Sequence, residues 1–175
     1  MKPVSDETFN ILLRQYSYDK TPLNARRESL DESAEDWVQE KITFDAGYGG
    51  DRMTAYLFLP KRGKPPYQTV VVFPGDAGIY FGSRGPFPLQ SSSSSQWPIT
   101  SFDFFLKNGR AVLFPIYKGT FERDDGLESS IPNETNLYRE HVIMWAKDLS
   151  RSIDYLETRT DIKAHVLASR HAGGG

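Results

Sequence analysis

Two short stretches carry residue types able to do chemistry, Pro74-Gly75-Asp76-Ala77-Gly78 and Tyr117-Lys118-Gly119-Thr120. Each follows an apolar run that reads as a buried strand, and in open α/β sheets ligands bind beyond the carboxyl ends of the strands. Because the first stretch is built of small residues, the backbone N–H groups of Asp76 and Ala77 are placed to face a developing oxyanion without side-chain obstruction. A plain strand-to-loop turn is the other reading of the same five residues. Carboxylates gather at Asp124-Asp125 with Glu122 and Glu128, but their spacing misses the calcium-loop pattern D-x-[DN]-x-[DN]-G, so a solvated acidic loop is expected and no metal. Tyr80, Phe81, Phe87 and Trp97 form an aromatic-rich stretch that either lines an apolar pocket or covers the sheet. Neither Gly47-Tyr48-Gly49-Gly50 nor Gly75-Asp76-Ala77-Gly78 is a phosphate-binding fingerprint. With no cysteine in the chain, thiolate nucleophiles, disulfides and Cys-based metal sites are excluded, and no cofactor is expected.

Such loops need rigid elements behind them, and 175 residues with 38% hydrophobic and 25% charged composition are enough for one domain with a core. Twenty-one basic residues against 23 acidic ones give a net charge of −2, which makes no electrostatic case for nucleic acid or an anionic membrane as partner. The longest apolar stretch, residues 69–74, is far short of the roughly 20 needed to span a bilayer. MKPVSDETFN lacks the apolar core of a signal peptide, so a cytoplasmic location is expected.

A short helix is predicted over residues 5–16, followed by an extended lead-in. Ile42, Phe44 and Ala46 then alternate with polar residues, as do Met53, Ala55, Leu57 and Leu59, around a glycine-rich turn that marks a β-hairpin. Val70, Val71, Val72 and Phe73 form an apolar run on both faces, the pattern of a central parallel strand. Serines 91–95 read as a flexible insertion. Phe102, Phe104, Phe105 and Leu106 suggest a short helix ended by Asn108-Gly109, and Arg110 to Pro115 reads as the next buried strand. Residues 119–133 read as a charged surface loop. A long helix is predicted from the capping residues around Thr135 to about Glu157, with Val142, Trp145, Ala146, Leu149, Ile153 and Leu156 on its buried stripe and Lys147, Asp148, Arg151 and Asp154 elsewhere. Hairpin, strand, helix, strand, helix implies an α/β sandwich.

In combination, residues 16–25 (YSYDKTPLNA), 44–60, 65–75 (PPYQTVVVFPG), 109–112 (GRAV) and 132–136 (PNETN) resemble one family. It is the α/β-hydrolase-like region at the C-terminal end of certain bacterial serine/threonine protein kinases, related to acetyl xylan esterases, dienelactone hydrolases and prolyl oligopeptidases. The resemblance covers residues 3–161, and no kinase motif is present. It implies an α/β fold with residues 1–36 as lead-in and 37–175 as part of an α/β-hydrolase domain. It also implies a serine hydrolase that cleaves a small ester or peptide substrate through an acyl-serine intermediate.

The resemblance breaks off after Asp161-Ile162. Where the family carries a strand ending in a G-x-S-x-G-G elbow, this chain reads KAHVLASRHAGGG. Ser169 is the candidate nucleophile, with Leu167 and His171 in place of the elbow glycines and a preceding strand that reads as too short. No acidic residue follows Ser169, so the order Ser, Asp or Glu, His cannot be completed. His141 is expected to be exposed or capping, and His165 precedes the candidate serine. His171 lies in a tail expected to fray, and a Ser169–His171 dyad lacks an orienting acid. The expectation is therefore a hydrolase fragment inactive as it stands, truncated or altered by a shifted frame. The alternative is a non-catalytic α/β module that binds a small ligand or partner domain. Either way, Val70 to Phe73 is expected to lose a neighbour on one side and to leave a sheet edge open to self-association.

Overall fold

A computed structural model of the chain describes residues 3–73, 103–127 and 135–171, with residues 73 and 164–171 described through their backbone alone. Its centre is a six-stranded mixed sheet. The strands are β1 (Arg26–Asp31), β2 (Trp37–Asp45), β3 (Arg52–Pro60), β4 (Tyr67–Phe73), β5 (Ala111–Ile116) and β6 (Ile162–His171), and the helices are α1 (Asp6–Leu13), α2 (Asp103–Lys107) and α3 (Asn136–Glu157). Sheet order is β1-β2-β3-β5-β4-β6. The first three strands and β5 pair antiparallel in sequence across the sheet, while β4 pairs parallel with both β5 and β6.

The alternation read from the sequence decides which face each strand residue meets. Ile42, Phe44, Met53, Ala55, Leu57, Val71, Ala111 and Leu113 form one apolar cluster with Tyr155 and Leu156 of α3, where the Phe44 and Tyr155 rings stack 5.3 Å apart. Tyr56, Phe58, Val70, Val72, Val112, Phe114 and Ile116 form the other, against Leu106 of α2 and Phe121. Strands apolar on both faces are thus strands covered on both faces, and each fully buried side chain of this size contributes about 1.5–3 kcal/mol.

The predicted N-terminal helix forms as α1, capped by the Ser5 side chain, yet α1 buries none of its residues. The extended lead-in is partly a strand: β1 adds to β2 antiparallel with every residue exposed. Residues 18–23 dock on α3 through polar groups. Arg151, 1% exposed, donates to the carbonyls of Thr21, Pro22 and Asp45, and the Tyr18 hydroxyl donates to Asp154 at 2.8 Å. Burial and the Asp154 carboxylate push the Tyr18 hydroxyl up to about 12.

Four expectations are corrected. Val70 to Phe73 is not an edge, because β6 pairs with it on the side away from β5. The segment before Ser169 is not too short for a strand either: β6 runs ten residues, held by its ladder with β4. On α3 the buried positions are His141, Asp148, Arg151, Ser152, Tyr155 and Leu156, so Asp148 and Arg151 lie inward because partners wait there. Residues 119–127 are only partly a surface loop: Asp124, Asp125 and Gly126 are exposed, but Thr120, Phe121, Arg123 and Leu127 are buried. Among the described residues, no helix is long and apolar enough to cross a membrane.

Candidate functional site

The β2–β3 turn, the carboxyl end of β5 and the first half of α3 meet at one place. Arg123, 6% exposed at its side chain, leaves a short helical turn in the loop after β5 and points inward. Its Nη1 donates to Asp148 Oδ2 at 2.7 Å and to the Ile116 carbonyl at 2.8 Å, while Nη2 reaches Tyr48 Oη at 2.8 Å and Asp51 Oδ2 at 3.1 Å. Asp148 is fully buried and also accepts from the Tyr48 hydroxyl at 2.8 Å and the Lys118 amide at 3.0 Å. Two buried opposite charges are tolerated because nearly every lone pair and proton is used. Arg123 Nε, with no acceptor, is the exception.

The outer side of the cluster is less covered. Lys118 Nζ bonds Asp51 Oδ2 at 3.1 Å and lies 4.0 Å from Asp125 Oδ2. His141, buried at 2%, faces acceptors on both sides: Leu137 O lies 2.8 Å from Nδ1, and the Asp125 carboxylate oxygens lie 3.1 and 3.0 Å from Nε2. This overturns the expectation of an exposed or capping histidine; the Asp125 carboxylate compensates its burial. Trp145 packs edge-on to the His141 ring and donates its indole N–H to the Lys118 carbonyl at 2.8 Å.

Burial dominates the electrostatics. It pushes the Asp148 carboxyl above the ordinary carboxylate value against the pull of Arg123, Tyr48 and the Lys118 amide, and it pushes the Tyr48 and Tyr117 hydroxyls up as well. For Arg123 burial works downward, but the charges and hydrogen bonds of Asp148 and Tyr48 together outweigh it and hold the guanidinium well above its usual value. For Asp51 burial works upward, but Lys118 and Arg123 outweigh it and the carboxyl lies low.

The backbone is committed to this arrangement. Gly119 has φ +80°, and a Cβ there would lie 3.2 Å from Asp125 Oδ1, His141 Cδ2 and Leu127 Cβ. Phe121 is held at φ 45° with its ring buried against Phe114, a conformation that persists for a bulky residue only when its surroundings enforce it. The cluster therefore fixes the course of the chain leaving β5. Its charges are spent on one another, so it positions rather than reacts. Among the described residues, no group of three or more His, Asp or Glu is arranged to hold a metal ion.

The sequence-predicted loop at Tyr117-Lys118-Gly119-Thr120 is part of this site. Asp124 and Asp125 do not form an ion-binding loop: Asp125 pairs with His141, and Asp124 accepts from the Gly126 amide at 3.1 Å. Ser169 lies within β6 opposite Val71, two residues before the strand ends, so its backbone belongs to the ladder. Asp76, Ala77, Tyr80, Phe81, Phe87, Trp97 and Glu128 lie outside the described residues. Sequence reasoning missed Tyr48, Arg123 and Asp148. The available signal was the seven-residue spacing of His141, Asp148 and Tyr155 along one face of α3.

No family model matches the chain, and no curated protein does. Solved structures do match. Acetyl xylan esterase 1 from Thermoanaerobacterium sp. JW/SL YS485 aligns over 98% of this chain and 52% of its own, with TM-score 0.65 and 9% identity. The acetyl xylan esterase from Paenibacillus sp. R4 aligns over 95% and 50%, with TM-score 0.57 and 17% identity. A glucuronoyl esterase from Solibacter usitatus aligns over 95% and 52%, with TM-score 0.54 and 18% identity. The chain has the α/β-hydrolase type of fold and spans about half the length of these structures. At such identities the likeness concerns the fold alone.

Proposed function

We propose that the chain supplies the sheet and positioning loops of a serine-type hydrolase of carboxylic esters or peptides, and that it turns over no substrate by itself. The observation that carries this reading is the strand order β2-β3-β5-β4-β6, with parallel β5, β4 and β6 opening at one rim, in a fold whose solved neighbours are named as esterases. In such a hydrolase a serine oxygen attacks the ester carbonyl and its proton passes to a histidine. Backbone N–H groups hold the oxyanion, the alcohol leaves, and water releases the acid from the acyl-serine. Here Asp76 and Ala77, following β4, are the proposed oxyanion donors, and the clamp around Arg123 and Asp148 holds the adjacent loop. Ser169 is the proposed nucleophile position. Leu167 and His171 stand beside it where a nucleophile elbow would carry glycines.

The test is to sequence the coding DNA from the codon of Asp161 onward, translate all three frames, and assay the resulting chains on p-nitrophenyl acetate. Expected are background rates for the present chain. A frame carrying a G-x-S-x-G elbow with a later Asp or Glu and a His should give turnover that its serine-to-alanine variant lacks. If every frame closes without those residues, or if the present chain turns over independently of any serine, the reading is overturned and ligand binding by a non-catalytic module takes its place.

A further inference from the structure

At the opposite rim, the amino ends of β4, β5 and β6 enclose a groove of about 300 Å³ lined by Lys64, Tyr67, Gln68, Asn108, Arg110 and Lys163, with the backbone of Pro66 and Gly109 completing it. Its three charged side chains are all cationic; no Asp or Glu lines it. Many cations elsewhere in the described chain meet carboxylates: Arg159 holds Glu40 and Asp161, Lys20 holds Asp154, Arg52 holds Asp45, and Lys107 holds Asp103. Lys64 and Lys163 make no ion pair among the described residues. Among the described residues the Arg110 side chain makes a single hydrogen bond, from Nε to Gln68 Oε1 at 3.3 Å. That bond orients the guanidinium plane and leaves Nη1 and Nη2, the fork that grips planar oxyanions, without an acceptor among the described residues. A net charge of −2 averaged over the chain conceals this concentration of one sign, whose summed potential attracts anions to the groove.

We propose that this groove is a binding site for a small polyanion bearing two or more oxyanion groups, phosphate or carboxylate. Its three cations come from three separate segments: the β3–β4 connection, the residue before β5 and the second residue of β6. One bound anion would thus bridge the starts of all three parallel strands. The site lies at the end of the sheet away from the Arg123–Asp148 cluster, so it does not depend on the hydrolase reading.

The experiment is titration calorimetry of the full chain at low ionic strength with inorganic pyrophosphate and, separately, citrate. The variants are R110Q/K163Q and, as an equal-charge control away from the groove, R14Q/R26Q. Expected is saturable one-to-one binding of at least one anion that weakens steeply with added salt, drops tenfold or more in R110Q/K163Q and stays within twofold of the native value in R14Q/R26Q. Binding of pyrophosphate alone identifies a phosphate ligand, and binding of citrate alone a carboxylate ligand. Absence of saturable binding to either, or equal losses in the two variants, overturns the proposal. K64Q/K163Q serves in the same way should R110Q/K163Q fail to show the native circular dichroism spectrum.

Discussion

The two rims of the parallel strands handle charge in opposite ways. At the carboxyl end of β5, Asp51, Lys118, Arg123 and Asp148 join at hydrogen-bond distance, with Arg123 and Asp148 buried and His141 bonded to Asp125 beside them. At the amino ends, Lys64, Arg110 and Lys163 share a groove without a carboxylate and remain exposed. Charges that are buried and mutually satisfied hold a backbone in place. Charges that are exposed and unsatisfied hold nothing within the chain and are available to something outside it. The first arrangement is a matter of stability and the second of binding, and mutations at the two rims should separate accordingly.

The largest effect is expected from Asp148→Ala. It strips Arg123, the Tyr48 hydroxyl and the Lys118 amide of a common acceptor while leaving the guanidinium buried, and breaking such a pair from one side costs about 3–5 kcal/mol. Urea denaturation should show the midpoint falling accordingly, with Asp148→Asn intermediate because one acceptor oxygen remains. A loss below about 1 kcal/mol would mean that water replaces the carboxylate and that the clamp does not hold the loop.

Gly119→Ala probes the same rim through the backbone. An L-residue at φ +80° is strained, and the added methyl presses on Asp125, His141 and Leu127 at once. A loss of about 1–3 kcal/mol is expected, read as a lower thermal midpoint together with faster amide exchange in residues 117–127. An unchanged midpoint would show that the loop relaxes freely, contrary to a rigid clamp.

How far each rim was legible in the sequence follows from the kind of order it uses. The apolar alternation of Ile42 and Phe44 with Met53, Ala55 and Leu57 announced the hairpin, and Val70 to Val72 announced the central strand, because hydrophobic burial is periodic. The residues around Thr135 announced the long helix because capping is local. The pairing of Asp148 with Arg123, 25 residues away, and with Tyr48, 100 residues away, has no local signature. A charge on a helix reads as solvent-facing until its partner is known, so the inward turn of α3 and the burial of His141 were missed. β6 was misjudged although Ile162, Ala164, Val166 and Ala168 alternate with Lys163, His165 and Ser169, because its extent is set by the ladder to β4. The groove cations were invisible as a group because 64, 110 and 163 converge only once β4, β5 and β6 align.

A smaller effect separates the groove cations from the carboxylate just beside them. The Asp161 carboxyl, hydrogen-bonded by Arg159, lies below the ordinary carboxylate value of about 3.9. A carboxyl lowered in the folded state adds stability that is complete above its unfolded value and disappears as pH falls through its folded one. The native chain should therefore lose urea resistance on going from about pH 5 to pH 2.5 more steeply than Asp161→Asn, which starts lower at neutral pH and keeps only the shallower slope of carboxyls such as Asp51 and Asp154. Parallel acid limbs would mean that the Arg159–Asp161 pair is screened to nothing by solvent.

The smallest effect on stability is expected where the charge is least satisfied. R110Q/K163Q removes two exposed cations whose single protein bond, Arg110 to Gln68, is long at 3.3 Å, so the urea midpoint should move by no more than about 0.5 kcal/mol. Its direction is informative. Three like charges around one groove repel, so removing two should leave stability unchanged or slightly raised at low salt, and the difference should vanish near 0.5 M salt as screening shortens to a few ångströms. A loss of 1 kcal/mol or more that persists in salt would mean that these side chains are structural, as Asp148 is, and the contrast between the two rims would fall with that result.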